Sequence, residues 1–384
     1  MISHASRRMF PSSACRMMST SSFIASELTI SPTSSPKEKL PKEELSFGDS
    51  FSDHMMEIDW TKEGGWGKPR ISEYANLELS PASTGLHYGI QCFEGMKCYS
   101  TAEGGLRLFR PDRNMARLNS SMSRLAMPSF DGGELTSLLK EFCKVEESWV
   151  PQGAGYSLYL RPTAIGTHPF LGVDVSAHVK LFVIASPVGP YYPQGFKPVS
   201  LYADSVNKRA WPGGVGGFKL GGNYGPTIEP AKEAMAMGYN QVLWMWGDND
   251  EVTECGAMNL FFVLEEDGKK ILQTAPLDRG DILPGVTRQS IIDLAEGWEG
   301  VEVREEFPRM GDIKKAADEG RLLEAFGSGT AAVVSPIERI HYEGSDIDID
   351  AGMGSDSITK RAWDDLNAIY YGEVNGPEGW GVDI

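Results

Sequence analysis

Cysteine and histidine are scarce in this chain: five and six residues among 384, none of them grouped. Cys15, Cys92, Cys98, Cys143 and Cys255 are too few and too scattered for a disulfide framework, which suits a reducing compartment. No CxxC occurs, and the spread of the histidines speaks against a zinc or iron site, so no metal is expected. Long apolar runs are missing as well, and without roughly 18 consecutive apolar residues no membrane span is expected. Positive charge is in the minority, with 36 Lys and Arg against 53 Asp and Glu, a net −17. Such a field disfavours nucleic acid and anionic membrane surfaces as partners. A few well-placed arginines can still hold a small anion.

Acid is absent from residues 1–26 before Glu27, where Arg7, Arg8, Arg16 and many serines stand instead. That composition reads as an organellar transit peptide, mitochondrial in preference to plastid, with a cytoplasmic protein carrying a loose tail as the alternative. Residues 27–47 read as a flexible lead-in. From there the pattern is globular. "LRLFRP" predicts a strand, and Met115, Leu118, Met122 and Leu125 follow at helical spacing. "YSLYLRPTAIGT" and "VKLFVIASPVG" predict further strands. A smaller N-terminal α/β domain is expected over 48–186, a Pro/Gly-rich linker over 187–198 and a larger C-terminal domain over 199–384. In the latter, "VSLYAD", "QVLWMW", "TECGAMNLFFVL" and "KILQTAPL" predict strands, and "TIEPAKEAMAMG" and "TRQSIIDLAEGW" predict helices.

One stretch stands apart. "GGFKLGGNYG", residues 216–225, sets Lys219 among five glycines. Glycine lets backbone pass close to something, so this lysine is a phosphate-binding charge or a reactive amine. A P-loop is excluded because Leu220 stands where Ser or Thr should follow the lysine. A dinucleotide fingerprint, Gly327-x-Gly329-x-x-Ala332, fails too, because Pro336 leaves no room for the long helix it needs.

Covalent chemistry remains, and pyridoxal phosphate is the common cofactor held by a lysine Schiff base. It needs a phosphate cradle with a cation, a carboxylate for its ring nitrogen and a donor for its phenolic oxygen. "LPGVTRQSII" and "FGSGTAA" each offer backbone N–H groups to an anion. Glu254, in an otherwise apolar segment, suits the ring nitrogen; Tyr224 suits the phenolic oxygen; Arg110 suits the phosphate. Taken singly these residues also read as a strand-end carboxylate, a core tyrosine and a surface salt bridge. Together they meet the demands of one cofactor.

"LHYGIQCFEGMKCY", "LFRPDRNMARL", "YLRPTAIGT", "FKLGGNYGPT", "TECGAMNLFFV", "LPGVTRQS" and "FGSGTAA" occur in order over residues 45–384. With them the chain resembles the branched-chain-amino-acid aminotransferases, pyridoxal-phosphate enzymes of fold type IV, the D-alanine-aminotransferase-like fold. The resemblance implies a two-domain α/β and α+β architecture with the cofactor between the domains, and a homodimer. By motif it makes Lys219 the catalytic Schiff-base lysine. Glu254 would meet the ring nitrogen and Tyr224 the phenolic oxygen. Arg110, Val286, Thr287 and Thr330 would hold the phosphate. Thr330, Ala331 and Tyr159 would take the substrate carboxylate. Tyr88, Phe93 and Tyr191 would shape an apolar side-chain pocket, and Arg161 would reach the distal carboxylate of glutamate. It implies reversible transfer of the amino group of L-leucine, L-isoleucine or L-valine to 2-oxoglutarate. A D-amino-acid aminotransferase or an aminodeoxychorismate lyase is the alternative on the same fold. Two departures stand out: Ala332 and Ser335 occupy a redox CxxC of mammalian members, and Ala257 replaces a threonine after "TE-x-G".

Overall fold

The computed structural model describes residues 22–190 and 196–384. The first half follows the alternation its sequence carries. Ser157–Gly166 and His178–Val188 pair antiparallel over their full lengths and form the centre of a sheet. His54–Thr61 and Arg70–Glu73 extend it on one side, Met96–Ser100 and Leu106–Phe109 on the other. The pairings are antiparallel apart from Thr29–Ile30 on Arg70–Glu73. Hairpin connectivity makes this half α+β rather than the α/β expected for it. Helices Pro111–Arg124 and Gly132–Val145 bury Met115, Leu118, Met122, Leu135, Leu138 and Phe142 against the sheet. Apolar residues at three- and four-residue steps produce that face.

The second half is a closed ring. Glu251–Cys255, Gln241–Trp246, Val199–Asp204, Val333–Tyr342, Leu322–Gly329 and Met258–Glu266 pair in that order, and the last pairs back on the first. Closure removes the sheet edges there. Lys269–Thr274 and Val301–Glu305 extend it beyond Met258–Glu266. Asp267 and Gly268, with φ of 51° and 76°, make the hairpin that this dipeptide encodes.

Three expectations change. "TECGAMNLFFVL" is two strands, because Gly256 at φ 54° turns the chain and sets Glu254 opposite Asn259. The 27–47 segment is tied down: Thr29–Ile30 joins the sheet, and the Lys37 N–H donates to Asp53 at 2.8 Å. The chain's end is not confined to the second half, because Gly381–Asp383 pairs with Leu106–Phe109 of the first sheet. Packing reaches into the last residues of the 1–26 stretch. Phe23 is 2% exposed, stacks on Phe130 with ring centres 5.7 Å apart, and lies edge-on to Trp66. Among the described residues no helix is long and apolar enough to cross a membrane.

Candidate active site

A cavity of about 370 Å³ opens between the two halves. Phe93, Tyr159 and Arg161 face it from the first sheet; Val286, Thr287, Thr330 and Ala331 face it from the second half, as do Lys219 and Tyr224 from the stretch between strand Val199–Asp204 and helix Ile228–Ala236. Lys219 Nζ donates to the Tyr224 hydroxyl at 3.0 Å and sits 4.6 Å from the Phe93 ring centre. Three of the glycines around Lys219, Gly216, Gly217 and Gly221, serve close packing. A Cβ on Gly216 would come 2.4 Å from the Asp281 carbonyl oxygen, so the loop can pass there only without side chains. Lys219 itself is pinned through its backbone, the N–H donating to Ser121 Oγ at 2.9 Å and the carbonyl accepting from Phe93 N–H at 3.1 Å.

Glu254 lies buried behind this wall, 2% exposed. It is ion-paired to Arg209, which is also buried, and accepts from the Leu283 N–H at 3.2 Å and from Asn259 Nδ2 at 3.4 Å. Burial raises its pKa above the usual carboxylate range, and the charges of Arg209 and Lys219 with the Leu283 hydrogen bond offset this in part. Glu94 stands on the other side. It takes Arg117 Nε at 2.7 Å and a second Arg117 nitrogen at 2.9 Å, with Asn114 Nδ2 at 2.8 Å. Burial pushes its pKa up, but the Arg117 charge and hydrogen bonds outweigh that and the net shift is downward.

Helix Val286–Ala295 points its N-terminus into the cavity, and among the described residues no side chain caps it. Its first N–H groups are therefore available to an anion. The Gly329–Ala332 turn, which joins two ring strands, lies in the same lining, together with the buried Ser328 hydroxyl, which has no partner among the described residues. Arg117, paired with Glu94, also lines the cavity and donates to the Pro284 carbonyl at 2.9 Å, just before that helix.

Arg110 is not brought to the cavity. It caps helix Pro111–Arg124 at φ 43° and donates to Ser290 and Asp293, each at 2.9 Å, bracing the helix whose N-terminus lines the site. Tyr88 is also apart, 40% exposed, with its hydroxyl bonded to the Leu171 carbonyl. Tyr191 lies outside the described residues. Tyr159 and Arg161 do share a face, as period-2 alternation requires, and Arg161 donates to the Tyr159 hydroxyl at 3.0 Å. A Cβ on Gly95 would sit 2.0 Å from that hydroxyl, so glycine there makes room for Tyr159. Sequence reasoning missed Phe47, Arg117, Asn259, Glu94 and Arg209. Phe47 lines the cavity with its ring 4.8 Å from that of Tyr159, yet it comes from a stretch of serine, proline and charge that gave no signal.

Pyridoxal phosphate suits this donor set. An amine, a hydroxyl, a helix N-terminus beside a buried arginine and a buried hydroxyl without a partner among the described residues surround one space, and the Glu254 carboxylate lies buried behind its wall. Among the described residues no group of three or more His, Cys, Asp or Glu is placed to hold a metal.

Fold and site together define a class IV transaminase. The family model for amino-transferase class IV matches residues 91–340. A branched-chain-amino-acid aminotransferase of Dictyostelium discoideum is 51% identical over 96% of this chain and 98% of its own. The mitochondrial enzyme of that name from Rattus norvegicus is 46% identical over 92% of this chain and 90% of its own. The crystal structure of the branched-chain aminotransferase from Thermoproteus uzoniensis with norvaline superposes with a TM-score of 0.68 at 26% identity, covering 85% of this chain and 98% of that one. The branched-chain amino acid aminotransferase from Escherichia coli superposes with a TM-score of 0.65 at 25% identity, over 85% and 98%. This chain belongs to the branched-chain-amino-acid aminotransferase family.

Proposed function

We propose that the protein moves the amino group of L-leucine, L-isoleucine or L-valine reversibly to 2-oxoglutarate, with pyridoxal 5′-phosphate as cofactor. The observation that carries this is the meeting of Lys219, Tyr224, the helix at Val286 and the Tyr159–Arg161 face around one cavity. Pyridoxal phosphate supplies an aldehyde for the substrate amine and a ring that spreads the electron pair left when the α-proton departs.

The chain's own residues do the rest. Lys219 would hold the cofactor, and its Nζ takes the α-proton as general base and returns it as general acid in the reverse direction. Glu254 would keep a proton on the ring nitrogen, and Tyr224 would donate to the phenolic oxygen. Val286, Thr287 and Thr330 would hold the phosphate, with Arg117 as its cation and Arg110 acting through the helix it braces. Thr330, Ala331 and Tyr159 would orient the substrate carboxylate. Phe47 and Phe93 exclude water beside a branched side chain. Arg161 would meet the distal carboxylate of 2-oxoglutarate and turn aside for leucine. Turnover of L-leucine with 2-oxoglutarate should exceed that of D-alanine by at least about 100-fold. Equal rates, or a preference for D-alanine, would move the reading to a D-amino-acid enzyme.

The same reading includes a homodimer and mitochondrial import. Leu86, Tyr88, Phe170, Leu171 and Val173 are 40–81% exposed, and Tyr88 touches Leu171, so they form an apolar patch of the kind that partners cover. The pocket role expected of Tyr88 is then open across that interface. Sedimentation as a monomer would refute the dimer. Relatives carry both mitochondrial and cytosolic names. The basic, serine-rich start supports import, and the burial of Phe23 supports a cut ahead of that residue. Sequencing the mature N-terminus checks this, and a start beyond Phe23 would contradict it.

A further inference from the structure

We propose that a second cavity, which shares the Ala331–Ala332 wall with the first, binds a small monocarboxylate with an aromatic or branched apolar body, and that its occupancy weakens binding of the substrate's carboxylate.

This cavity holds about 240 Å³, room for a fragment-sized molecule. Lys97, on strand Met96–Ser100, lines it and is 7% exposed. Its Nζ donates to the Ala331 carbonyl oxygen at 2.9 Å, which uses one of three N–H groups. No carboxylate pairs with it among the described residues. A buried ammonium without a counter-ion is costly, and burial alone pushes this amine down to about 8. An anion beside it would offset that cost.

The remaining lining selects the kind of anion. Tyr99, Phe196, Trp363 and Tyr371 surround the space with rings. The Tyr371 hydroxyl is already used: it accepts from Gly155 N–H at 2.8 Å and donates to the Tyr156 carbonyl at 3.1 Å. Lys197, exposed, adds a second positive charge to the lining. Among the described residues no acid lines the cavity, although the chain carries 53 of them. A basic, aromatic space in an acidic protein fits a monocarboxylate with a flat or branched apolar body.

Coupling follows from the shared wall. With the first cavity read as the transaminase site, a reading on which this inference rests, the front of the Thr330–Ala331 turn meets the substrate carboxylate. Lys97 holds the same turn from behind. A carboxylate on Lys97 neutralises the charge that favours the substrate anion and places a second negative charge across one turn of backbone. The two ligands therefore oppose each other, and the coupling is reciprocal.

Phenylacetate, which has neither an amine nor a keto group to react, is a suitable probe on the holoenzyme. Its addition should raise the KM for leucine to a plateau of roughly fivefold while kcat holds. A rise without limit would place it in the Lys219 cavity and overturn the proposal. Asn367, on helix Ile358–Tyr370, lines the second cavity, and Asn367→Phe fills it. That variant should keep basal turnover and lose the phenylacetate effect; an effect that persists would overturn the proposal. Calorimetric titration of the unmutated holoenzyme gives a reading free of any variant. Phenylacetate should bind at least about tenfold tighter than neutral phenylacetamide, the margin of one charged hydrogen bond, and equal binding would overturn the proposal. Leucine turnover before any addition tests the transaminase reading separately, because the titration needs no turnover.

Discussion

Two buried carboxylates flank Lys219, one from each half of the molecule, and both are paired with a buried arginine. Glu94 is saturated. Arg117 grips both its oxygens, and Asn114 and the Gly95 N–H add to them. Its pKa falls despite complete burial. Glu254 has Arg209, one backbone N–H and a long contact to Asn259, and its pKa rises. The difference separates a brace from a working group. A carboxylate whose lone pairs are filled holds structure together, whereas one left short can take a further cation.

Removing the amine between the pairs should have the largest effect. Lys219→Ala should lower turnover by at least about 10⁴-fold, with the fold unchanged by circular dichroism. Borohydride labelling that maps to another lysine would remove Lys219 from the role.

The carboxylates themselves should then part company. Glu94→Gln leaves Arg117 buried without its counter-charge and should cost about 3–5 kcal/mol in urea unfolding. Glu254→Gln should cost less than half of that, yet lower turnover by roughly 100-fold, because charge that develops in the reaction loses its partner. Equal stability losses would erase the distinction.

Arg161 sharpens the contrast from outside the pairs. Its Nε is buried and has no partner among the described residues, while its fork leans on Tyr159 and Phe93. A guanidinium with no carboxylate of its own is suited to one brought by a substrate. Arg161→Leu should weaken the 2-oxoglutarate half-reaction by roughly 2–3 kcal/mol and the leucine half-reaction much less. If both half-reactions and the melting temperature fall together, the arginine is a brace.

The smallest effect is on pH dependence, and its sign differs between the pair. Glu94, with a depressed pKa, contributes stability above the ordinary carboxylate value of about 4.3 and loses it as pH falls through its folded value. The deficit of Glu94→Gln against the unmutated protein should therefore shrink in acid. Glu254, with a raised pKa, subtracts stability as pH rises from that ordinary value through its folded one. Glu254→Gln should gain on the unmutated protein over that interval. Unfolding midpoints measured across the acid range decide both.

Much of this site was legible in the residue order. Lysine among glycines is rare enough to name a chemistry, and alternation alone put Tyr159 and Arg161 on one face. "DG" gave its hairpin, and Ala332 and Ser335 rule out a dithiol at those positions whatever the fold. Local pattern misled where a single backbone angle intervened. Arg110 and Arg117 are seven residues apart, two helical turns, and helical phase would set them on one face. Arg110 stands outside the helix at φ 43°, so its side chain leaves that phase for Asp293, and the cavity receives Arg117. Gly256 likewise folded one apparent strand into two and thereby set Glu254 against Asn259. The rest depended on long-range packing. The sequence by itself determined which groups were available and how each stretch of backbone would run, since propensity, alternation and glycine act within a few residues. Tertiary structure alone decided which groups meet: Phe47 with Tyr159, Arg209 with Glu254, Lys97 with Ala331 and the chain's last strand with its first sheet. Those pairs span from about forty to more than two hundred and fifty residues, and burial against a common core, which no local pattern records, is what brings them together.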